Sequence, residues 1–186
     1  MLRALFRGQL DRFERDFQYD ASYMRDLLDV SVSRFFRFSM LPALGHGRAA
    51  PAEAVAAAGI VGTLAEDCGP CTQIGVDIAA RSGVAPDVLR AILAGDEAAM
   101  GEAAALAYGF ARAVLARDME TADPLRDQIV ARWGKAGLVD ISLALTTARM
   151  YPTLKYGLGH GKACSRVVVA GKPAPFAKPV LEPVAI

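Results

Sequence analysis

No apolar run in this chain approaches the roughly 20 residues that a membrane-spanning helix needs. The longest uncharged one, Ala54 to Ala65 (AVAAAGIVGTLA), reads as a buried core helix. Neither sign of charge is in excess, since 21 Lys plus Arg stand against 20 Asp plus Glu, and that balance argues against a dedicated nucleic-acid binder. The first residues, MLRALFRGQLDRFERDF, meet Arg and Asp too early for the uninterrupted apolar segment of a secretory signal. Neither membrane nor nucleic acid is expected as a partner, and the chain reads as a soluble, cytoplasmic protein. Cysteine is scarce, with three in 186 residues. An odd count in a reducing compartment fits redox or metal chemistry better than a disulfide framework.

Helical periodicity is plentiful. Leu2, Leu5, Phe6, Leu10, Phe13 and Phe17 recur at spacings near three and four, the mark of one helical face. A second helix is expected after Asp20, a capping residue, with Tyr23, Met24, Leu27 and Leu28 turned inward. Pro42, Gly45 and Gly47 interrupt the pattern, so residues 1–48 read as an N-terminal helical arm. From Pro51 an Ala-rich helix leads to a cysteine pair, and the next helix carries Cys71 through Ala80 and ends at Ser82-Gly83. Pro86 opens another that Gly95 stops, and Ala98 to Arg117 continues in helical style. Asp123-Pro124 reads as a cap-plus-proline start leading past Gly134 and Gly137 to a helix over Leu138–Met150. Val167, Val168 and Val169 are β-branched, and residues 171–186 carry four prolines, hence an extended tail. The expected fold is all-α, with a helical body over residues 49–170.

The stretch EDCGPCTQ, residues 66–73, puts two thiols three positions apart. At a helix start, unpaired N–H groups and the helix dipole favour a thiolate, so one sulfur can attack while the other resolves the product as a disulfide. Which one attacks depends on where the helix begins. Two other readings stay open: a pair of small buried hydrophobes, and a metal site that would draw on Cys164, His46 and His160 to complete four ligands. No metal or organic cofactor is expected. CGPC is also the tetrapeptide of thioredoxin, whose fold sets it after a β-strand. Here the helical PAEAVAAAGIVGTLAED precedes it, so a thioredoxin-like disulfide oxidoreductase is kept as a minority reading.

In sequence order, an Ala-rich helix runs into EDCGPCTQ, then come GVAPDVLRAILAGD at 83–96, a second Ala-rich helix, and RWGKAGLVDISLALTTARMYPTLKYGLG at 132–159. This order, from about Pro51 to Ala170, resembles the carboxymuconolactone decarboxylase superfamily, specifically its alkylhydroperoxidase-D-like branch with a Cys-x-x-Cys motif. The resemblance implies an all-α homo-oligomer with the thiol pair in a pocket between helices. It implies an antioxidant peroxidase chemistry in which the pair reduces a hydroperoxide and a dithiol partner re-reduces it. Cys68 and Cys71 match the thiols. The family's relay histidine falls on Gly75 and its glutamate on Ala56, neither of which can pass a proton.

The nearest replacement acid is Glu66, two residues before Cys68, read either as an acceptor for the thiol proton or as a solvated neighbour. Asp67 reads as the helix cap. Gln73 and Thr72, within a turn of the thiols, are candidate relay or substrate contacts. His160, set among Gly157, Gly159 and Gly161, is either a substitute relay or a residue at a helix end. His46 is weighed in the same way, while Trp133 and Tyr108 read as core or subunit interface. The function expected is a thiol-dependent oxidoreductase reducing hydroperoxides or disulfides. The rivals are a cofactor-free lactone decarboxylase on the same fold and a non-catalytic oligomeric redox sensor.

Overall fold

Apolar spacing in the first forty residues folds into a helical cluster with a core of its own. The computed structural model describes residues 2–45, 47–161 and 167–174. His46, Cys164 and the proline-rich segment beyond residue 174 lie outside the described residues. The arm is built of α1 (Leu2–Phe17), α2 (Ser22–Val30), α3 (Val32–Ser39) and the short α4 (Leu41–Leu44). Phe6 and Leu10 of α1 turn in against Tyr23, Met24 and Leu28 of α2 and Phe35 of α3. Leu5, about 100° round the helix from Phe6, is 58% exposed, as is most of Leu2. Full burial of a side chain such as Leu28 contributes roughly 1.5–3 kcal/mol.

Between α1 and α2 the chain is tied by side chains. Asp20 accepts the Ser22 N–H at 3.0 Å, and Glu14 accepts the Ala21 N–H at 3.1 Å while pairing with Arg25. The Arg25 hydrogen bond holds the Glu14 carboxyl below the usual glutamate range, and the Ser22 N–H does the same for Asp20. Carboxyls depressed in the folded state add stability that is fully present above their unfolded values and is lost as pH falls through the folded ones. Acid should therefore loosen this junction, with the loss beginning near pH 4.5 and deepening below it. In a pH titration of thermal stability, Arg25→Gln is expected to flatten the acid limb. An unchanged limb would remove Glu14 as its source.

The body begins with α5 (Ala52–Ala65), started by Pro51 as expected. It continues through α6 (Gly69–Arg81), α7 (Pro86–Ala94), α8 (Glu102–Ala116) and α9 (Met119–Gly157). Gly95 at φ 73° ends α7, in the left-handed cap that glycine suits. α5 lies at the centre, with Ala54, Ala57 and Ala58 at 0% exposure. Its small side chains let α8 and α9 come close, and at Gly62 an added Cβ would stand 2.9 Å from the Leu145 carbonyl oxygen.

The start of α9 differs from expectation. Asp118, not Asp123, is its cap, accepting the Thr121 N–H at 3.1 Å, and Pro124 sits inside the helix. A cap is chosen by where the preceding helix stops, and Arg117 closes α8 in the left-handed region at φ 60°, directly before Asp118. Gly134, at φ 69°, breaks α9 into two segments, as a residue without a Cβ can.

After α9 the extended reading takes the form of a hairpin. β1 (Val167–Val169) pairs antiparallel with β2 (Lys172–Ala174), Val167 opposite Ala174. Val167 and Val169 are 1% and 2% exposed and belong to the body's core. The arm seats on the body through Arg81 over the Phe17 ring at 4.4 Å, the buried Lys155 over Tyr19 at 5.3 Å, and Phe38 against Tyr151 at 5.5 Å. Among the described residues no helix is long and apolar enough to cross a membrane.

Candidate functional site

Where α6 begins decides what each sulfur can do. The helix starts at Gly69, so Cys68 is its N-cap residue and Pro70 occupies the first turn, where its missing N–H costs nothing. Cys68 Sγ accepts the Cys71 N–H at 3.4 Å, and Cys68 and Cys71 are joined as a disulfide with Cα atoms 5.3 Å apart. Both are buried, at 3% and 6% exposure. The expected Asp67 cap is corrected here. Asp67 stands one residue outside the helix at φ 54°, and the sulfur takes the place of its carboxylate.

The turn before the pair is held from a distant part of the chain. Tyr156 Oη lies 3.0 Å from the carbonyl oxygens of both Glu66 and Asp67, and its one proton serves them in turn. Arg149 donates to Glu66 Oε1 through Nε and Nη2, each at 2.6 Å. Glu66 is therefore placed beside the guanidinium of α9, with its side chain 18% exposed. Sequence reasoning missed Tyr156 and Arg149, which lie more than 80 positions from the motif and carry no local pattern that marks them.

Thr72 stands behind the pair, 1% exposed, with Oγ1 at 3.0 Å from both the Cys68 carbonyl and Thr63 Oγ1. Thr63 in turn donates to the Ile60 carbonyl and takes the Cys68 N–H on its own carbonyl. This chain of contacts fixes the end of α5 to the start of α6.

Gln73 reads the hairpin instead of the thiols. Its Oε1 accepts the Val168 N–H at 2.6 Å, and its Nε2 donates to the Val168 carbonyl at 3.0 Å and to Asp77 at 2.8 Å. The side chain thus completes the backbone pairing of a strand, and Arg90 adds a bond to the Val169 carbonyl at 2.7 Å. Gln73→Ala should cost about 1–3 kcal/mol of local stability by leaving both Val168 groups unmade. Amide exchange at Val168 at least about tenfold faster than in the wild type is the expected reading. Unchanged exchange would show that the hairpin stays down without the clamp.

His160 is taken up by the arm. Its Nδ1 lies 3.1 Å from Ser22 Oγ and its Nε2 2.7 Å from Asp26 Oδ2, so both ring nitrogens are committed to α2. Gly75, at the position of the family's relay histidine, lies on α6, with open contact distance to Ile60 for an added Cβ, 3.8 Å. Ala56 is half-buried on α5. Tyr108 is buried and Trp133 half-buried in the body's core.

A helix led by α5 rather than a strand precedes the motif, and the only strands among the described residues are those of the hairpin, which removes the βαβ setting of a thioredoxin. The arrangement is a buried disulfide-bonded cysteine pair at a helix N-terminus, braced by Thr72 and Thr63 on one side and by Tyr156 and Arg149 through the preceding turn. Chemically, a Cys-x-x-Cys pair can cycle between dithiol and disulfide by thiol–disulfide exchange. No family model, no curated protein and no solved structure matches this chain.

Proposed function

We propose that this chain is a thiol-dependent oxidoreductase of the alkylhydroperoxidase-D-like kind in the carboxymuconolactone decarboxylase superfamily, working through Cys68 and Cys71. The observation that carries the reading is the placement of Cys68 as the N-cap of α6, with Cys71 within bonding distance. With no proton-relay group at positions 56 and 75, stabilisation of a thiolate falls to the helix end. A negative charge there gains typically 0.3–1 kcal/mol, and more where partly buried. The Cys71 N–H aimed at Cys68 Sγ favours that sulfur as the attacking one.

In the cycle, the Cys68 thiolate attacks the outer oxygen of a hydroperoxide and the O–O bond breaks. The alkoxide leaves as the alcohol after taking a proton, and Cys68 becomes a sulfenic acid. Cys71 then attacks Cys68 Sγ, water leaves, and the disulfide closes; two electrons have passed from the thiols to the peroxide. An external dithiol reopens the bond by exchange. A disulfide substrate enters the same cycle at the exchange step. Self-association accompanies this reading, and large apolar side chains left open on the arm, Val30 and Phe36 among them, support it.

Burial of both sulfurs favours one rival, a non-catalytic protein in which the pair is structural. A free-thiol count with mass mapping on the reduced protein, before and after one equivalent of an organic hydroperoxide, separates the two. Rapid loss of two thiols and a mapped Cys68–Cys71 bond support the redox reading. Thiols that survive peroxide and a disulfide substrate alike leave only a pair that packs.

A further inference from the structure

Between the end of α8 and the second segment of α9 runs an open groove of about 590 Å³. Its walls are Val114 and Leu115 on one side and, on α9, Thr146, Arg149, Met150 and Thr153 flanked by Leu145 and Leu154. Leu145 to Leu154 spans about 14 Å of helix. Two arginines, Arg117 and Arg149, are among its lining residues. Volumes of roughly 300–1,000 Å³ with apolar walls and a few polar groups are those of small-molecule sites.

The charge of this groove is not balanced. Arg149 is paired with Glu66 through Nε and Nη2, which leaves Nη1 free of any described partner. Arg117 has no carboxylate within ion-pair distance among the described residues. It also holds a left-handed conformation, φ 60° and ψ 24°, which strains any residue with a Cβ and which glycine would adopt freely. A cation at the last turn of a helix is favoured by the dipole, but the dipole does not ask for an apolar trough beside it.

We propose that the groove binds an amphipathic carboxylate. Its anionic head lies on the Arg117 guanidinium, with Arg149 Nη1 as second donor, and its aliphatic body lies against Val114, Leu115 and Met150. A neutral ligand of the same shape leaves the Arg117 charge unanswered, and a cationic one is repelled by it. The groove adjoins the cysteine site through Arg149, which also holds Glu66, but the proposal stands whether or not the thiols turn over.

Calorimetric titration of the full-length protein with octanoate, 1-octanol and octylammonium tests it. Octanoate is expected to bind at one site per chain, at least about tenfold tighter than either analogue. Arg117→Gln should remove most of that preference. Arg117→Gly should remove it too while relieving the backbone strain, so a loss of binding in this variant is not a loss of fold. Thr153→Trp, on the lining, should block octanoate by filling the groove. Equal binding of all three ligands, octanoate affinity unchanged in both Arg117 variants, or binding unaffected by Thr153→Trp overturns the proposal.

Discussion

Cys68→Ser is expected to abolish hydroperoxide-driven thiol loss, lowering its rate on the order of 100-fold or more, since it removes the atom proposed to attack. Cys71→Ser should behave differently. With Cys68 intact and no resolving thiol, the first step proceeds and the reaction halts at a Cys68 sulfenic acid, which a dimedone tag captures. The asymmetry follows from the helix start, because Cys68 Sγ receives an N–H and lies at the end of the α6 dipole, whereas Cys71 has already entered the helix. Work in a Cys164→Ser background keeps the thiol count to the pair. A tag on Cys71 in the Cys68→Ser protein, with none on Cys68 in the converse variant, would reverse the assignment. Tags on neither would sink the peroxide reading altogether.

Gly62→Ala is expected to destabilise the fold by about 1–3 kcal/mol, and Gly62→Val by more, through overpacking of the α5–α9 contact. The new Cβ would meet the Leu145 carbonyl oxygen at 2.9 Å, with Ala148 Cβ and Arg149 Cγ at 3.3 Å. The first of these is backbone and cannot swing aside. Helix propensity works the other way, since alanine is favoured over glycine inside a helix by about 1 kcal/mol, so the measured loss is the difference. Gly8 supplies the control. It lies in α1 with nothing within 4 Å of an added Cβ, and Gly8→Ala should stabilise by roughly 0.5–1 kcal/mol. Chemical unfolding of the two variants should thus give shifts of opposite sign. A stabilised Gly62→Ala would show that α9 can move away without cost. Because Arg149 braces Glu66, Gly62→Ala should also disturb the turn ahead of Cys68, visible as a shifted Glu66 amide resonance.

Elements bounded by local signals were legible in the sequence. Pro51 before α5, Pro86 and Gly95 around α7, and the helix carrying Cys71 all stand where proline, glycine and apolar spacing put them. These residues act through their own φ angle or their own face, so neighbours suffice. Ambiguity arose where two residues competed for one role. Asp67 is the better cap by preference, yet Tyr156 and Arg149, brought over from α9, hold the turn so that Cys68 takes the cap position. Asp118 displaced Asp123 for a similar reason, since the end of α8 set the start of α9.

The sequence by itself determined a mainly helical chain with a dithiol at or beside a helix start, because backbone propensity and a three-residue spacing are local properties. Tertiary structure alone decided which sulfur caps the helix, that Gln73 clamps Val168, that His160 belongs to the arm, and that Arg117 flanks an apolar trough. Each of those joins side chains to groups far along the chain, and such pairings are selected by packing of the whole core, which no local pattern encodes.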